Sequence, residues 1–388
     1  MYHASVAAAL RYFPLLGRPR PDCPALPLRL KEITDSAEAA IQKREHGMPD
    51  AAHTLNKAAL IASDAGMPDF ARKLCWQHIN AYRHKGRPLS ILEARYMFEP
   101  VLNLARLQIR ADHGAPALRL LEAMYDAVTH RTDLIVDDQS LPTATLDGEA
   151  GERRKLREWV WLQLLGEGIR ILALSNRWAD AAALAQKHNG IGGHLMEGRQ
   201  AAIIAACIQG KPDQGRKILG TSTLTQPWEH QVAACLNLIC AAPTDAGASH
   251  HLMTATGNLA TPIPAPNYAS YRTRLGLATA ILASPTRAEL AADILYRTAQ
   301  SAIDSKDGYA ARDILSFREP IGGITPDQQT DLRRTATDAG LAPAGLPERG
   351  LEQVSRIAAL AESALDAALH GALGDRAGQQ GEPLHQRR

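Results

Sequence analysis

Aromatic residues make up only 5% of this 388-residue chain, and just four of them are phenylalanine. Sheet-on-sheet cores lean on aromatic and β-branched side chains, so this scarcity, beside abundant Ala, points to closely packed helices instead. No run approaches the roughly eighteen consecutive apolar residues that a membrane span needs. Net charge is nearly absent as well: 43 Lys and Arg stand against 41 Asp and Glu, a formal +2. No global field is therefore aimed at nucleic acid or anionic lipid, and neither is expected as a partner. Cysteine is sparse. Cys23, Cys75, Cys207, Cys235 and Cys240 form no Cys-x-x-Cys pair, and an odd number leaves one over, which argues against a disulfide framework. All but Cys23 sit in apolar helical runs, as small hydrophobes do. A reducing compartment suits such thiols. No charged leader precedes the short apolar run at 6–10 and no Ala-x-Ala site follows it, so the expected location is cytoplasmic.

Catalytic signatures are missing too. The chain has no Gly-x-x-x-x-Gly-Lys-Ser/Thr phosphate loop, no Gly-x-Gly-x-x-Gly, no His-Glu-x-x-His and no Gly-x-Ser-x-Gly. His194 and Glu197 share one helix face, but no third ligand stands nearby in sequence. Gly190-Ile191-Gly192-Gly193 reads as a helix stop, with no strand before it to build an anion nest. No catalytic residue, cofactor or metal is expected.

What the chain does have is a recurring hinge. Gly47-Met48-Pro49-Asp50 is followed by Ala52 and Leu55; Gly66-Met67-Pro68-Asp69 by Ala71 and Leu74; Gly210-Lys211-Pro212-Asp213 by Gly215 and Ile218. A glycine closes one helix and a proline, whose missing N–H costs nothing in a first turn, opens the next. Several such hinges imply stacked helical hairpins.

Residues 1–30 are expected to be irregular, because Pro14, Pro19, Pro21, Pro24 and Pro27 forbid a long helix. A helical array should fill 31–242, beginning with the apolar face Ile33, Ala37, Ala40 and Ile41. Ser90 can cap a helix over 91–110 that Pro100 kinks or splits. The stretch 131–150 is a long insertion with a β-favouring run, Leu134-Ile135-Val136, and reads as a small hairpin or a lid. The helix over 156–174 is apolar almost all round and belongs in the middle of the array. Within it, Glu167 is either a perturbed carboxylate or a partner for Arg170 or Arg199. A weak joint is expected at 243–266, C-terminal hairpins at 267–373 and a disordered tail at 374–388. Two basic clusters, Arg83-His84-Lys85 with Arg87 and Arg153-Arg154-Lys155 with Arg157, are solvated helix ends or an anion-holding patch.

The phrase Gly-x-x-x-x-Ala-x-x-Leu between helices resembles the middle of a tetratricopeptide repeat. Gly66, Ala71 and Leu74 match best. Gly47, Ala52 and Leu55 follow, as do Asn176, Ala181 and Leu184, and Gly210, Gly215 and Ile218 with Gly replacing Ala. The 34-residue period of that family is not kept, since the hinges at 47 and 66 lie 19 apart, so the chain is tetratricopeptide-like with degenerate repeats. Arg outnumbers Lys about threefold, a bias expected of a GC-rich bacterial genome.

The resemblance implies an all-α, right-handed α-solenoid of antiparallel helical hairpins. Its concave groove would hold a peptide or partner protein, as in an adaptor or regulatory sensor, and a homodimer is compatible with it. The alternative is a biosynthetic accessory enzyme or transferase with its site in the cavity. Groove candidates are the large aromatics Trp76, Tyr82, Tyr96, Trp161 and Trp228, with the charges Arg95, Arg106, Arg157, Glu197 and Arg199 that interrupt apolar helices.

Overall fold

The computed structural model describes residues 2–241, 248–260, 267–341 and 345–371. Among them the chain is helical almost throughout. The helices are α1 (Tyr2–Leu10), α2 (Leu26–Lys43), α3 (Met48–Asp64), α4 (Pro68–Arg83), α5 (Ile91–Arg110) and α6 (Gly114–His130). Two short strands follow, β1 (Leu134–Val136) and β2 (Gln139–Leu141). Next come α7 (Ala150–Leu174), α8 (Trp178–Lys187), α9 (Glu197–Ile208), α10 (Pro212–Gly220), α11 (Pro227–Cys240) and α12 (Ala248–Ala260). The last five are α13 (Ala269–Ala283), α14 (Ala288–Ser305), α15 (Gly308–Leu315), α16 (Pro326–Asp338) and α17 (Glu348–Gly371). None of the described helices is long and apolar enough to cross a membrane.

Local chemistry explains most of these boundaries. Gly66 and Gly210 take φ of +76° and +73°, the left-handed backbone that ends a helix, and Pro68 and Pro212 open the next ones. Gly47 differs. Its φ is −79° and α2 ends through a single 3₁₀ turn. Glycine is needed there because a Cβ would overlap the Ala40 carbonyl. Ser90 and Glu93 complete a capping box on α5. Pro100, buried, does not split α5, which runs from Ile91 to Arg110 as one helix. The insertion is a hairpin: Leu134 pairs with Leu141 and Val136 with Gln139. Asp137 and Asp138 both take positive φ, as a two-residue type I′ turn requires.

Chain contacts divide the protein into two units, Met1–Ala25 with Trp161–Leu341, and Leu26–Val160 with the segment after Leu341. In the second unit, α3 touches α5 while α2, α4 and α6 pack beside them, and α17 lies against α2, α3 and α4. In the first, α9, α11, α13 and α15 form a row in which each touches the next, and α8, α10, α12, α14 and α16 fill in around it. The division falls inside α7 and after Leu341. The joint at 243–266 holds α12 in its middle; its two ends, and the expected tail at 374–388, lie outside the described residues. The last helix joins elements that are distant in sequence, a pairing that local periodicity does not encode.

Three further expectations change. Residues 1–30 carry α1, because every proline lies beyond it, and α2 starts at Leu26 with Pro27 harmless in its first turn. Ile33, Ala37 and Ala40 are buried as expected, but Ile41 is exposed. The helix enclosed on every side is α13, not α7. From Leu275 to Ala283 every α13 residue is buried, against α1, α11, α12, α14 and α15. Small side chains permit this, and a Cβ at Gly276 would overlap Thr298. On α7, Leu162 and Leu174 face solvent. Glu167 resolves to an ion pair with Arg170 at 3.2 Å.

The second unit also buries charge. The Asp64 carboxylate, with no side-chain exposure, holds Arg29 at 2.6 Å and Arg110 at 3.0 Å. Arg29 itself is almost fully buried. Asp64→Ala should strand it without a counter-charge and destabilise this unit by about 3–5 kcal/mol. A urea unfolding midpoint shift equivalent to less than about 1 kcal/mol would contradict that role.

Candidate functional site

The ten groove candidates fall into three groups. Tyr82 and Arg199 are structural. Tyr82 is fully buried beside His78, ring centroids 5.6 Å apart, and burial pushes the His78 imidazole down to about 3. The Arg199 guanidinium is spent on four acceptors: Ser222 Oγ, Gly192 O, Ile218 O and Thr221 Oγ1, at 2.7 to 2.8 Å. It fastens the glycine turn before α9 to the end of α10. Sequence marks both residues as polar groups in apolar helices; it does not say which way they point.

The second group lies in the unit holding α2–α6. Arg95, half-buried, pairs with Glu99 and sits 3.6 Å over the Trp159 ring. Glu99 accepts from Asn56, Asn103 donates to Asn56 at 3.3 Å, and Arg106 donates to Asn103 at 3.2 Å. A polar seam thus runs along α5 against α3, with Tyr96, half-buried, on the next position from Arg95. Trp76 donates to Asp137 at 3.1 Å. Arg72 pairs with the same carboxylate and Arg83 donates to Ser140 O at 3.1 Å, so the hairpin is pinned to α4. Trp76 also lines a cavity of about 500 Å³ with Phe70, Lys73, Gln77, Asn80 and Glu362. In the first basic cluster Lys85 and Arg87 share the Glu93 carboxylate; in the second, Arg153 donates to Leu146 O and Arg154, Lys155 and Arg157 are exposed at a helix start.

The third group is Trp161, Glu197 and Trp228. Trp161 donates to His188 O at 2.8 Å and holds α7 to the end of α8. Glu197 and Trp228 instead meet the chain's own residues 13–23, which lie without regular structure across the helix row. Phe13, Pro14, Leu15 and Gly17 are buried, Arg18 to Asp22 are exposed, and Cys23 is buried. Gln200 on α9, with no exposure, grips the Leu15 backbone twice. Its Oε1 accepts the Leu15 N–H at 2.9 Å and its Nε2 donates to the Leu15 carbonyl at 2.6 Å. Gly17 lies flat on Trp228 of α11; a Cβ there would overlap the Trp228 Cβ and Cγ. Arg18 reaches Glu197 of α9 at 3.1 Å. The Arg20 N–H donates to Asn267 O, just before α13, at 2.9 Å, and the Gly308 N–H of α15 donates to Cys23 O at 2.8 Å. From Leu15 to Cys23 the segment therefore visits α9, α11, α13 and α15 in their order along the row.

Both ends of the segment are anchored. Arg11 pairs with Glu319 at 3.2 Å. Burial, then the carboxylates of Asp313 and Glu319, push the Tyr12 phenol up to about 12. Burial of Phe13 and Leu15 contributes roughly 2 kcal/mol each. At the far end Asp307, buried as the N-cap of α15, accepts from Tyr309 N at 2.7 Å and Ala310 N at 3.2 Å. Burial first, and then the Asp22 carboxyl hydrogen-bonded to it, push its carboxyl above the ordinary 3.8 in spite of those two N–H groups. The row end at α9 is braced by Glu229 of α11, which accepts from Thr225 N and Gln226 N and lies 3.0 Å from His194 Nδ1. His194 and Glu197 are thereby committed to different partners. Among the described residues no group of three His, Cys, Asp or Glu could hold a metal ion.

Sequence reasoning named Glu197 and Trp228, which touch this segment, but not Gln200, Asp307 or the segment itself. The signal for Gln200 was available: a lone amide amid Ala201, Ile203 and Ile204. No family model, no curated protein and no solved structure matches this chain.

Gln200→Ala should leave a buried N–H and C=O at Leu15 unpaired, costing roughly 1–3 kcal/mol. Hydrogen exchange at the Leu15 amide should accelerate while exchange in α13 does not; equal acceleration in both would mean global destabilisation instead. The Asp22–Asp307 contact has a defined pH sign. A carboxyl raised by folding binds its proton more tightly in the folded state, so the contact's support declines as pH climbs from 3.8 through the raised value. Asp22→Asn keeps a donor to Asp307 and removes a like charge. Its melting temperature should exceed wild type by more at pH 7 than at pH 4; a gain independent of pH would refute the carboxyl pair.

Proposed function

We propose that this chain is a binding protein whose row α9, α11, α13 and α15 holds an extended polypeptide segment, acting as an adaptor or regulatory sensor. We take the helices to continue as a tetratricopeptide-like, right-handed solenoid of antiparallel hairpins, with that row as its inner wall. Support for the array comes from the main contacts along α9 to α16, which run between neighbours and next neighbours among the described residues.

The observation that carries the reading is the seat of residues 13–23. Its contacts are of the kind that recognises a polypeptide: a side-chain amide paired with both backbone groups of one residue, an indole surface that admits only glycine, and an acid aimed at an arginine. Backbone capture supplies affinity without sequence, and the glycine and arginine positions supply selectivity.

The test is a peptide array probed with the full chain at up to millimolar peptide, enough to compete with a tethered segment. Peptides carrying Gly-Arg-Pro should be retained over scrambled and acidic ones. Glu197→Lys should weaken them at least tenfold, while Arg157→Ala leaves them unchanged. Retention of no peptide, or retention indifferent to Glu197→Lys, would sink the proposal.

A further inference from the structure

Resting on the polypeptide-holding reading above, we infer that residues 13–23 are a built-in competitor for that row. The row takes in trans an extended segment with the chemistry of residues 15–19, namely an apolar residue, a spacer, glycine, arginine and proline, and the tethered copy must leave first.

Three observations separate a displaceable competitor from a permanent strut. The first is where the segment spends its burial. A strut fills space with apolar side chains along its whole length; here they are buried only towards the ends, at Phe13 to Leu15 and at Cys23, while the five consecutive residues Arg18 to Asp22 are exposed, and the row also reads the Leu15 backbone and a bare Cα at Gly17. The second is the quality of the far anchor. Asp22 is set against the buried carboxyl of Asp307, which already serves two N–H groups of α15. A permanent fastening would place a donor at position 22; with a carboxyl there, what fastens this end is the Gly308 N–H to Cys23 O bond and the small buried Cys23 side chain. The third is the ion pair at Glu197. Its arginine is about half exposed at 52%, so it adds selectivity more than stability and exchanges readily for an arginine arriving from solution.

The glycine fixes what the incoming segment must be. Trp228 closes the space where a side chain would start, so any L-residue other than glycine is refused at that position. Glu197 then requires a cation one residue later, and Gln200 requires a free backbone N–H two residues before the glycine, which excludes proline there. These demands define one chemical class of occupant, an arginine-bearing extended peptide of pattern apolar–x–Gly–Arg–Pro.

The apparent affinity of a row that is open only part of the time falls by the open fraction. A tether of this length holds its own segment at an effective concentration on the order of millimolar. Unseating the tethered copy should therefore raise affinity for an added one without changing the row. The experiment uses a fluorescein-labelled peptide with the sequence of residues 11–24, titrated by anisotropy into the full-length chain as wild type, Gly17→Val and Leu15→Glu. Gly17→Val collides with Trp228 and Leu15→Glu places a charge in a buried site, so both eject the segment while leaving every row residue intact. Leu15→Glu serves where Gly17→Val fails to fold, circular dichroism reports the fold, and hydrogen exchange over residues 13–17 reports ejection. The expected result is binding at least tenfold tighter to both variants than to wild type, abolished by adding Glu197→Lys and absent for a peptide bearing the Gly17→Val change. Equal affinity for wild type and ejected variants overturns the competitor while leaving the polypeptide-holding reading in place. No binding to either, with ejection verified by exchange, overturns both.

Discussion

A backbone amide buried away from water must find a hydrogen-bond partner, and that requirement shapes the row of helices and what lies on it. Within each helix the partners are internal. A non-helical segment pressed against helices has no ladder to join, so each buried N–H and C=O must be met individually. Residues 13–23 meet this in two ways. Gln200, Asn267 and Gly308 supply partners from three successive places along the row. Prolines at 14, 19 and 21 remove the donor altogether. A proline-rich sequence is thus the natural material for an irregular segment laid across helices: fewer donors need pairing, and less freedom is lost on ordering it.

The same constraint sorts the polar groups inside apolar helices by where their partners lie. Arg199, Asp64 and Glu229 are each saturated by fixed partners within the folded array; they hold turns and helix ends. Gln200 and Glu197 also point at a partner that is not part of the helical array. The difference lies in whether the acceptor or donor they serve has another way to be satisfied. The Leu15 backbone that Gln200 serves belongs to a segment that continues into exposed chain; the Asp64–Arg29 pair lies in the interior.

Much of the fold was legible because it is written in short-range chemistry. Gly66 and Gly210 carry the left-handed backbone their position demanded, Ser90 caps α5, and Leu134-Ile135-Val136 is a strand. What failed was anything that depends on a partner far away in the chain. The amphipathic α17 shows a buried face without saying that α2, α3 and α4 will cover it. The proline run at 14–27 reads as irregular chain by composition, though the residues it packs on, such as Gln200 and Trp228, lie far later in the sequence. Tyr82 and Arg199 were plausible wall residues by type, yet the helical wheel of each helix left two faces open to choice. Glu197 and Trp228 were picked by the same criterion and lie against residues 17 and 18, so residue type alone did not separate these positions from Tyr82 and Arg199.

The exposed crossing between the two anchors has one more property. Its basic residues Arg18 and Arg20 are each followed by proline, so both peptide bonds on their carboxyl sides are tertiary amides with no N–H. Proteases that cleave after arginine accept such bonds poorly. The stretch most open to solvent is thereby shielded from the enzymes its charge would otherwise attract, and the chain can leave it uncovered at little risk of being severed.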